Sequence, residues 1–247
     1  MVEPVPRAEV NASQAGPTSE AQALPHLRLG VLISGSGTNL QAIIDACESA
    51  RLQAVEIALV VSNVAGAAGL QRALKHRLPA IYLPWREREE GERRLAALLE
   101  LFRVDLVVLA GWMRILSADF LARFPRRVIN LHPALLPDDP SADVYIASDG
   151  SAIPAFRGLH AVRQALEAGV RVTGSTVHYV TPAVDAGPVL CRAEVPIQEG
   201  DSEETLHERI KAVEHSLVIE AIERWRAREL LELRRLSHSG GGPPQEG

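Results

Sequence analysis

The sequence predicts an α/β protein built on a mostly parallel sheet with helices on both faces. Three observations predict it. Short apolar runs alternate with segments of helical periodicity, the pattern of successive strand–helix units. The first apolar run ends in a glycine-rich turn that opens a helix. Apolar residues make up 47% of the 247 residues, enough for a large core, yet no run approaches the roughly 18 residues of a membrane span.

Leu27 to Ile33 reads as the first buried strand. It runs into Ser34-Gly35-Ser36-Gly37-Thr38-Asn39 and then into a helix over residues 40–47. Glycines let the backbone approach an anion, and a helix N-terminus offers free N–H groups. The turn is therefore either an anion site or simply a tight turn. Leu40 stands where a dinucleotide fingerprint requires its third glycine, and no Gly-Lys-Ser/Thr follows as in a P-loop. Residues 55–62 give a second strand, with a helix after it at 67–75. A third strand at 80–83 precedes a charged helix over 86–101, whose opening Arg86–Glu90 run reads as a solvated face. Residues 105–110 are the fourth strand, stopped by Gly111.

The apolar segment Trp112 to Ser117 is either core or a pocket for a flat heterocycle. Ser117 suits the N-cap of a helix at 119–123. A fifth strand begins at Val128 and stops at His132-Pro133, because proline has no N–H for a ladder. Residues two apart on a strand share a face, so Asn130 and His132 project together. One is an amide donor and acceptor; the other moves a proton near neutral pH. Either they serve a carbonyl substrate together, or loop backbone satisfies them.

Residues 138–154 are a polar excursion with one short strand-like piece. A helix resumes over 158–166. Residues 170–180 form a strand in which His178 reads as a satisfied strand histidine rather than a ligand. After a tight loop at 181–188 come the last strand, 189–195, and a long amphipathic helix, 202–228, with Ser202 and Thr205 as candidate N-caps. A short β piece at 230–236 is expected to close the fold. Residues 1–27 read as a flexible extension, 28–236 as one domain and 237–247 as a disordered tail.

The net charge of −5 lacks the basic footprint of a nucleic-acid binder. Cys47 and Cys191 are far apart and show no metal-ligand spacing, so neither a metal site nor a disulfide framework is expected, and a reducing cytoplasm is the default. Ligands of parallel sheets sit at the carboxyl ends of the strands. The glycine turn and the Asn130/His132 pair both fall there.

Four motifs carry a resemblance: Ser-Gly-Ser-Gly-Thr-Asn-Leu-Gln-Ala-Ile, Leu-Ala-Gly-Trp-Met-Arg-Ile-Leu, Asn-Leu-His-Pro-Ala-Leu-Leu-Pro and Val-Asp-Ala-Gly-Pro-Val. In this order, over about residues 28–226, the chain resembles the phosphoribosylglycinamide formyltransferases of purine biosynthesis. The resemblance implies a Rossmann-like twisted sheet whose C-terminal strands are antiparallel. It implies direct formyl transfer from 10-formyltetrahydrofolate to the glycinamide amine, with small-molecule substrates only, no nucleic acid, no membrane and no metal. Monomer and homodimer both fit.

Carried over by residue, Asn130, His132 and Asp185 match the catalytic trio. Asn130 would stabilise the tetrahedral oxyanion and His132 would relay the proton. Asp185 would favour the charged imidazolium and fix its orientation. Gly37, Thr38 and Asn39 match the phosphate loop, and Lys211 and Glu214 the phosphoribosyl contacts. Met113, Arg114, Ile115 and Leu116 match the pterin pocket, with Asn130 also meeting the folate. Arg88 matches the residue that meets the folate tail, or is a plain surface arginine.

The chain departs from this family at residues 138–154, which interrupt a loop that normally borders the folate site. Insertions in loops cost little, so an idle excursion is the alternative. Other functions differ in features readable here. A formyltetrahydrofolate hydrolase needs no phosphate loop. A methionyl-tRNA formyltransferase usually adds a C-terminal domain and a basic surface. A non-enzymatic nucleotide-binding domain would leave Asn130, His132 and Asp185 without a shared purpose.

Overall fold

The computed structural model describes residues 26–239. The expected N-terminal extension and tail lie outside these residues, except that Leu27 opens the first strand and 237–239 belong to the last helix.

The elements run β1 (Leu27–Ile33), α1 (Thr38–Glu48), β2 (Val55–Ser62), α2 (Ala68–Lys75), β3 (Ala80–Tyr82), α3 (Arg88–Leu101), β4 (Leu106–Leu109), α4 (Ala118–Arg123) and β5 (Val128–His132). Then come β6 (Val144–Ile146), β7 (Ala152–Pro154), α5 (Ala161–Glu167), β8 (Val172–Tyr179), β9 (Val189–Pro196) and α6 (Glu203–Ser239). The main sheet has the order β3-β2-β1-β4-β5-β8-β9. The first five strands in that order are parallel, as the strand–helix alternation predicts, and β8 and β9 join antiparallel, as the resemblance implies.

The apolar runs are continuous because strands with helices on both faces are buried on both. Leu29, Val31, Leu106, Val108 and Ile129 pack with α1 and α6 on one side. Leu32, Val107 and Leu109 pack with Leu95, Leu99 and Phe120 on the other. The strand order reverses between β1 and β4, which opens a crevice at their carboxyl ends. The glycine turn and the 112–117 segment flank that crevice.

Local capping follows the sequence at two helices. The Ser117 hydroxyl accepts from Phe120 N at 3.1 Å and starts α4. Before α6, Thr205 N donates to Ser202 Oγ at 3.2 Å and Ser202 N to Thr205 Oγ1 at 2.9 Å. Ser202 is thus the cap and Thr205 its reciprocal partner one turn in.

Two expectations are corrected. No β piece forms at 230–236; α6 continues to Ser239. The segment Glu229-Leu230-Leu231-Glu232-Leu233-Arg234-Arg235-Leu236 consists of strong helix formers, so nothing stops the helix there. The 138–154 excursion holds two strands rather than one: β6 and β7 pair antiparallel as a separate hairpin.

Candidate active site

β5 ends at the crevice with Asn130 and His132 on one face. Two hydroxyls on β8 hold the chain that leaves it. Ser175 Oγ donates to His132 O at 3.0 Å, and Thr176 Oγ1 to Ala134 O at 2.7 Å. The antiparallel register sets His178 opposite Asn130 and Thr176 opposite His132.

Asp185 reaches this pair from the loop between β8 and β9. Its backbone is left-handed, with φ of 50°, a conformation short polar side chains tolerate. Asp185 Oδ2 lies 3.3 Å from His132 Nδ1 and accepts Gly158 N–H at 2.8 Å. Asp185 Oδ1 lies 3.4 Å from His178 Nε2 and 3.5 Å from Asn130 Nδ2. Burial pushes the carboxyl up, but the His178 hydrogen bond, the proximity of His132 and the Gly158 N–H outweigh it. The pKa falls from 3.8 to about 2, so the group is ionised at neutral pH.

His178 is the residue that strand reasoning passed over. Its Nδ1–H donates to Tyr179 O at 2.8 Å, and its Nε2 lies 3.3 Å from the Asn130 amide nitrogen and 3.4 Å from Asp185 Oδ1. It is a satisfied strand histidine, as expected, and it also orients Asn130 and Asp185. Only the β5–β8 register reveals this.

At His132 the Asp185 charge favours the imidazolium, but a larger influence opposes it. Burial dominates and lowers the His132 pKa below 6.5; the Asp185 charge and the Phe156 carbonyl pull it up but do not prevail. The ring is 4% exposed, and a pKa below 6.5 favours its neutral form near pH 7. Its Nε2–H donates to Phe156 O at 2.6 Å.

The remaining predicted residues surround this centre. Gly37 is the left-handed N-cap of α1, with φ of 71°, and a Cβ there would meet Gly69 Cα at 2.7 Å. The turn thus needs glycine for packing whether or not an anion binds. Thr38 starts α1. Asn39 is buried and donates to Glu214 Oε2 at 2.8 Å, while Ser175 Oγ lies 3.2 Å from Glu214 Oε1. Lys211 Nζ lies 2.7 Å from Glu208.

Met113 and Ile115 are exposed apolar side chains, Arg114 is exposed and Leu116 is buried. Met113 N donates to Ser34 Oγ at 2.9 Å, tying this segment to the end of β1. Arg88 is exposed in the first turn of α3. One turn on, Glu92 accepts Ser117 N at 2.6 Å, and Trp85 stacks edge-on against Trp112 at 5.2 Å. The start of α3 therefore adjoins the 113–116 segment. Among the described residues, no group of three or more His, Cys, Asp or Glu is arranged to hold a metal ion. No helix among them is long and apolar enough to cross a membrane.

The family model described as formyl transferase matches residues 27–222, which places the chain among the formyl transferases. The phosphoribosylglycinamide formyltransferase of Escherichia coli K12 is 40% identical over 194 residues, covering 77% of this chain and 83% of that protein. The crystal structure of glycinamide ribonucleotide transformylase 1 from Symbiobacterium toebii matches with a TM-score of 0.70 at 45% identity, covering 80% of this chain and 86% of that one. The chain belongs to the phosphoribosylglycinamide formyltransferase family. It is also 44% identical over 202 residues to the trifunctional purine biosynthetic protein adenosine-3 of Drosophila pseudoobscura pseudoobscura. That match covers 80% of this chain but only 14% of the relative's length.

Proposed function

We propose that this protein transfers the formyl group of 10-formyltetrahydrofolate to the amine of N1-(5-phospho-D-ribosyl)glycinamide. The observation that carries this reading is the convergence of Asn130, His132 and Asp185 at the crevice between the glycine turn and the 113–116 segment. The phosphate would meet Gly37, Thr38 and Asn39 at the start of α1, where free N–H groups and the helix dipole favour an anion. Lys211 and Glu214 would meet the ribose side. Met113, Arg114, Ile115 and Leu116 would line the pterin, and Arg88 would face the folate tail.

The amine attacks the formyl carbon and forms a tetrahedral oxyanion. One Asn130 N–H faces the Asp185/His178 side; the amide's other N–H is left for the oxyanion. The attacking nitrogen then loses a proton and the folate N10 gains one as the C–N10 bond breaks. A neutral His132 can take the first and deliver the second. Its Nδ1 faces the ionised Asp185, so Nε2 is the nitrogen that serves substrate. In that working tautomer Nδ1–H donates to Asp185 and the Nε2 lone pair is free.

The test mixes purified protein with 10-formyltetrahydrofolate, with and without the ribonucleotide. Tetrahydrofolate should form only when the acceptor is present. Acceptor-independent release of formate would replace this reading with a hydrolase.

A further inference from the structure

The 138–154 excursion is anchored on β9, far in sequence from the residues it controls. Glu194 accepts Tyr145 Oη at 3.0 Å, Ser148 N at 2.8 Å and Ser148 Oγ at 2.5 Å. Arg192, two residues back on the same strand, pairs with Asp138 and lies 5.0 Å over the Tyr145 ring. Within the hairpin, Ala147 and Ile153 are buried. The excursion is therefore docked rather than idle.

It is locked in turn to the segment that covers the catalytic centre. Arg157 donates to Pro140 O at 3.2 Å and Ala142 O at 2.9 Å, and Ala155 N donates to Asp143 O at 2.8 Å. The residues on either side of Arg157 touch the proposed machinery. Phe156 O accepts the His132 Nε2–H and Gly158 N–H donates to Asp185.

The consequence is a tautomer conflict. The Phe156 carbonyl only accepts, so it holds the proton on Nε2. Proton relay requires Nε2 to be bare and the proton on Nδ1, toward Asp185. With Phe156 in place, the one ring proton is held at Nε2 by its carbonyl, a bare Nδ1 lies 3.3 Å from the Asp185 carboxylate, and the ring is buried. Substrate can reach Nε2 only when the carbonyl leaves, and it leaves only with the segment that Arg157 and the hairpin hold.

We infer that Glu194 is a positioning residue for the reaction: it latches the β6–β7 hairpin and thereby sets how firmly the Phe156 carbonyl caps His132. The assignment rests on His132 being the relay. The apparent affinity for a ligand that needs the uncapped form falls with the uncapped fraction. Weakening the latch therefore favours donor binding.

The test uses the full-length protein labelled with 15N, comparing wild type with Glu194→Gln and with Tyr145→Phe/Ser148→Ala. Ring 15N shifts of His132 report the tautomer, and exchange of the Gly158 amide reports the segment. Both variants should speed Gly158 exchange by roughly tenfold, the net worth of about one hydrogen bond, without changing α6 or the central strands. Both should shift His132 from the Nε2–H toward the Nδ1–H form, and lower KM for 10-formyltetrahydrofolate but not for the ribonucleotide. Unchanged exchange and tautomer in both variants would overturn the latch. So would equally faster exchange across the core, or a tautomer shift with an unchanged donor KM. The NMR readouts do not need turnover. Full activity in His132→Ala would count against the proposed relay rather than against the latch.

Discussion

At the residue scale, the site depends on which opposing influence wins at His132. Burial lowers its pKa below 6.5 and the Asp185 carboxylate raises it. The basic form is the working one, so kcat/KM should fall on the acid side with an apparent pKa below 6.5. Asp185→Asn keeps the left-handed backbone, since asparagine tolerates positive φ as aspartate does. It removes the charge that raises the histidine pKa, so the acid limb should move further toward acid while kcat drops. A pH–rate profile of both proteins checks this; a limb that moves toward base would contradict the assignment. His132→Ala should lower turnover by ~10²–10⁴-fold. Calorimetry should find its affinity for the ribonucleotide near that of wild type, because the phosphate loop is untouched.

The elements bring these residues together through register and glycine. β8 contributes Ser175, Thr176 and His178 to a site that otherwise belongs to β5, and it does so because it pairs antiparallel with β5. The β8–β9 loop can fold back with Asp185 only because Gly187 has no Cβ; one there would lie 1.7 Å from Tyr179 O. Gly37 is subject to a similar limit through its φ of 71° and its contact with Gly69. Gly37→Ala should destabilise the fold by about 1–3 kcal/mol, the usual cost of a strained backbone. It should also weaken ribonucleotide binding more than folate binding. Urea unfolding and titration of each ligand separate the two effects. In α3, Leu99 is fully buried, and Leu99→Ala should cost ~2–5 kcal/mol, read from the same unfolding curves.

At the scale of the whole molecule, the buried pair makes the fold acid-labile. Asp185 is lowered from 3.8 to about 2 in the folded chain, so its stabilisation is present above 3.8 and is lost as pH falls through 2. His132 is lowered below 6.5, so the unfolded chain takes up its proton first and stability begins to fall below 6.5. Both contributions have the same sign. The urea midpoint should decline from near neutral pH into acid, and less steeply in an Asp185→Asn/His132→Gln variant.

The sequence by itself determined the strand–helix alternation, the parallel half of the sheet and the strand-end placement of Asn130 and His132. Each follows from local periodicity, or from proline and glycine chemistry within a few residues. It also carried the motifs that marked Asp185, although nothing local says that this loop residue meets a strand 55 residues earlier. The tertiary structure alone decided the rest. Strand register put His178 against Asn130, because pairing between distant strands leaves no trace in either strand's own pattern. Burial decided the charge of His132, because desolvation depends on everything packed around the ring. The docked hairpin turned residues 138–154 from an apparent excursion into a brace on Phe156, because Glu194 and Tyr145 are neighbours only once β9 is in the sheet. The continuation of α6 was the one case where local propensity was legible in the sequence and the expected β piece went against it.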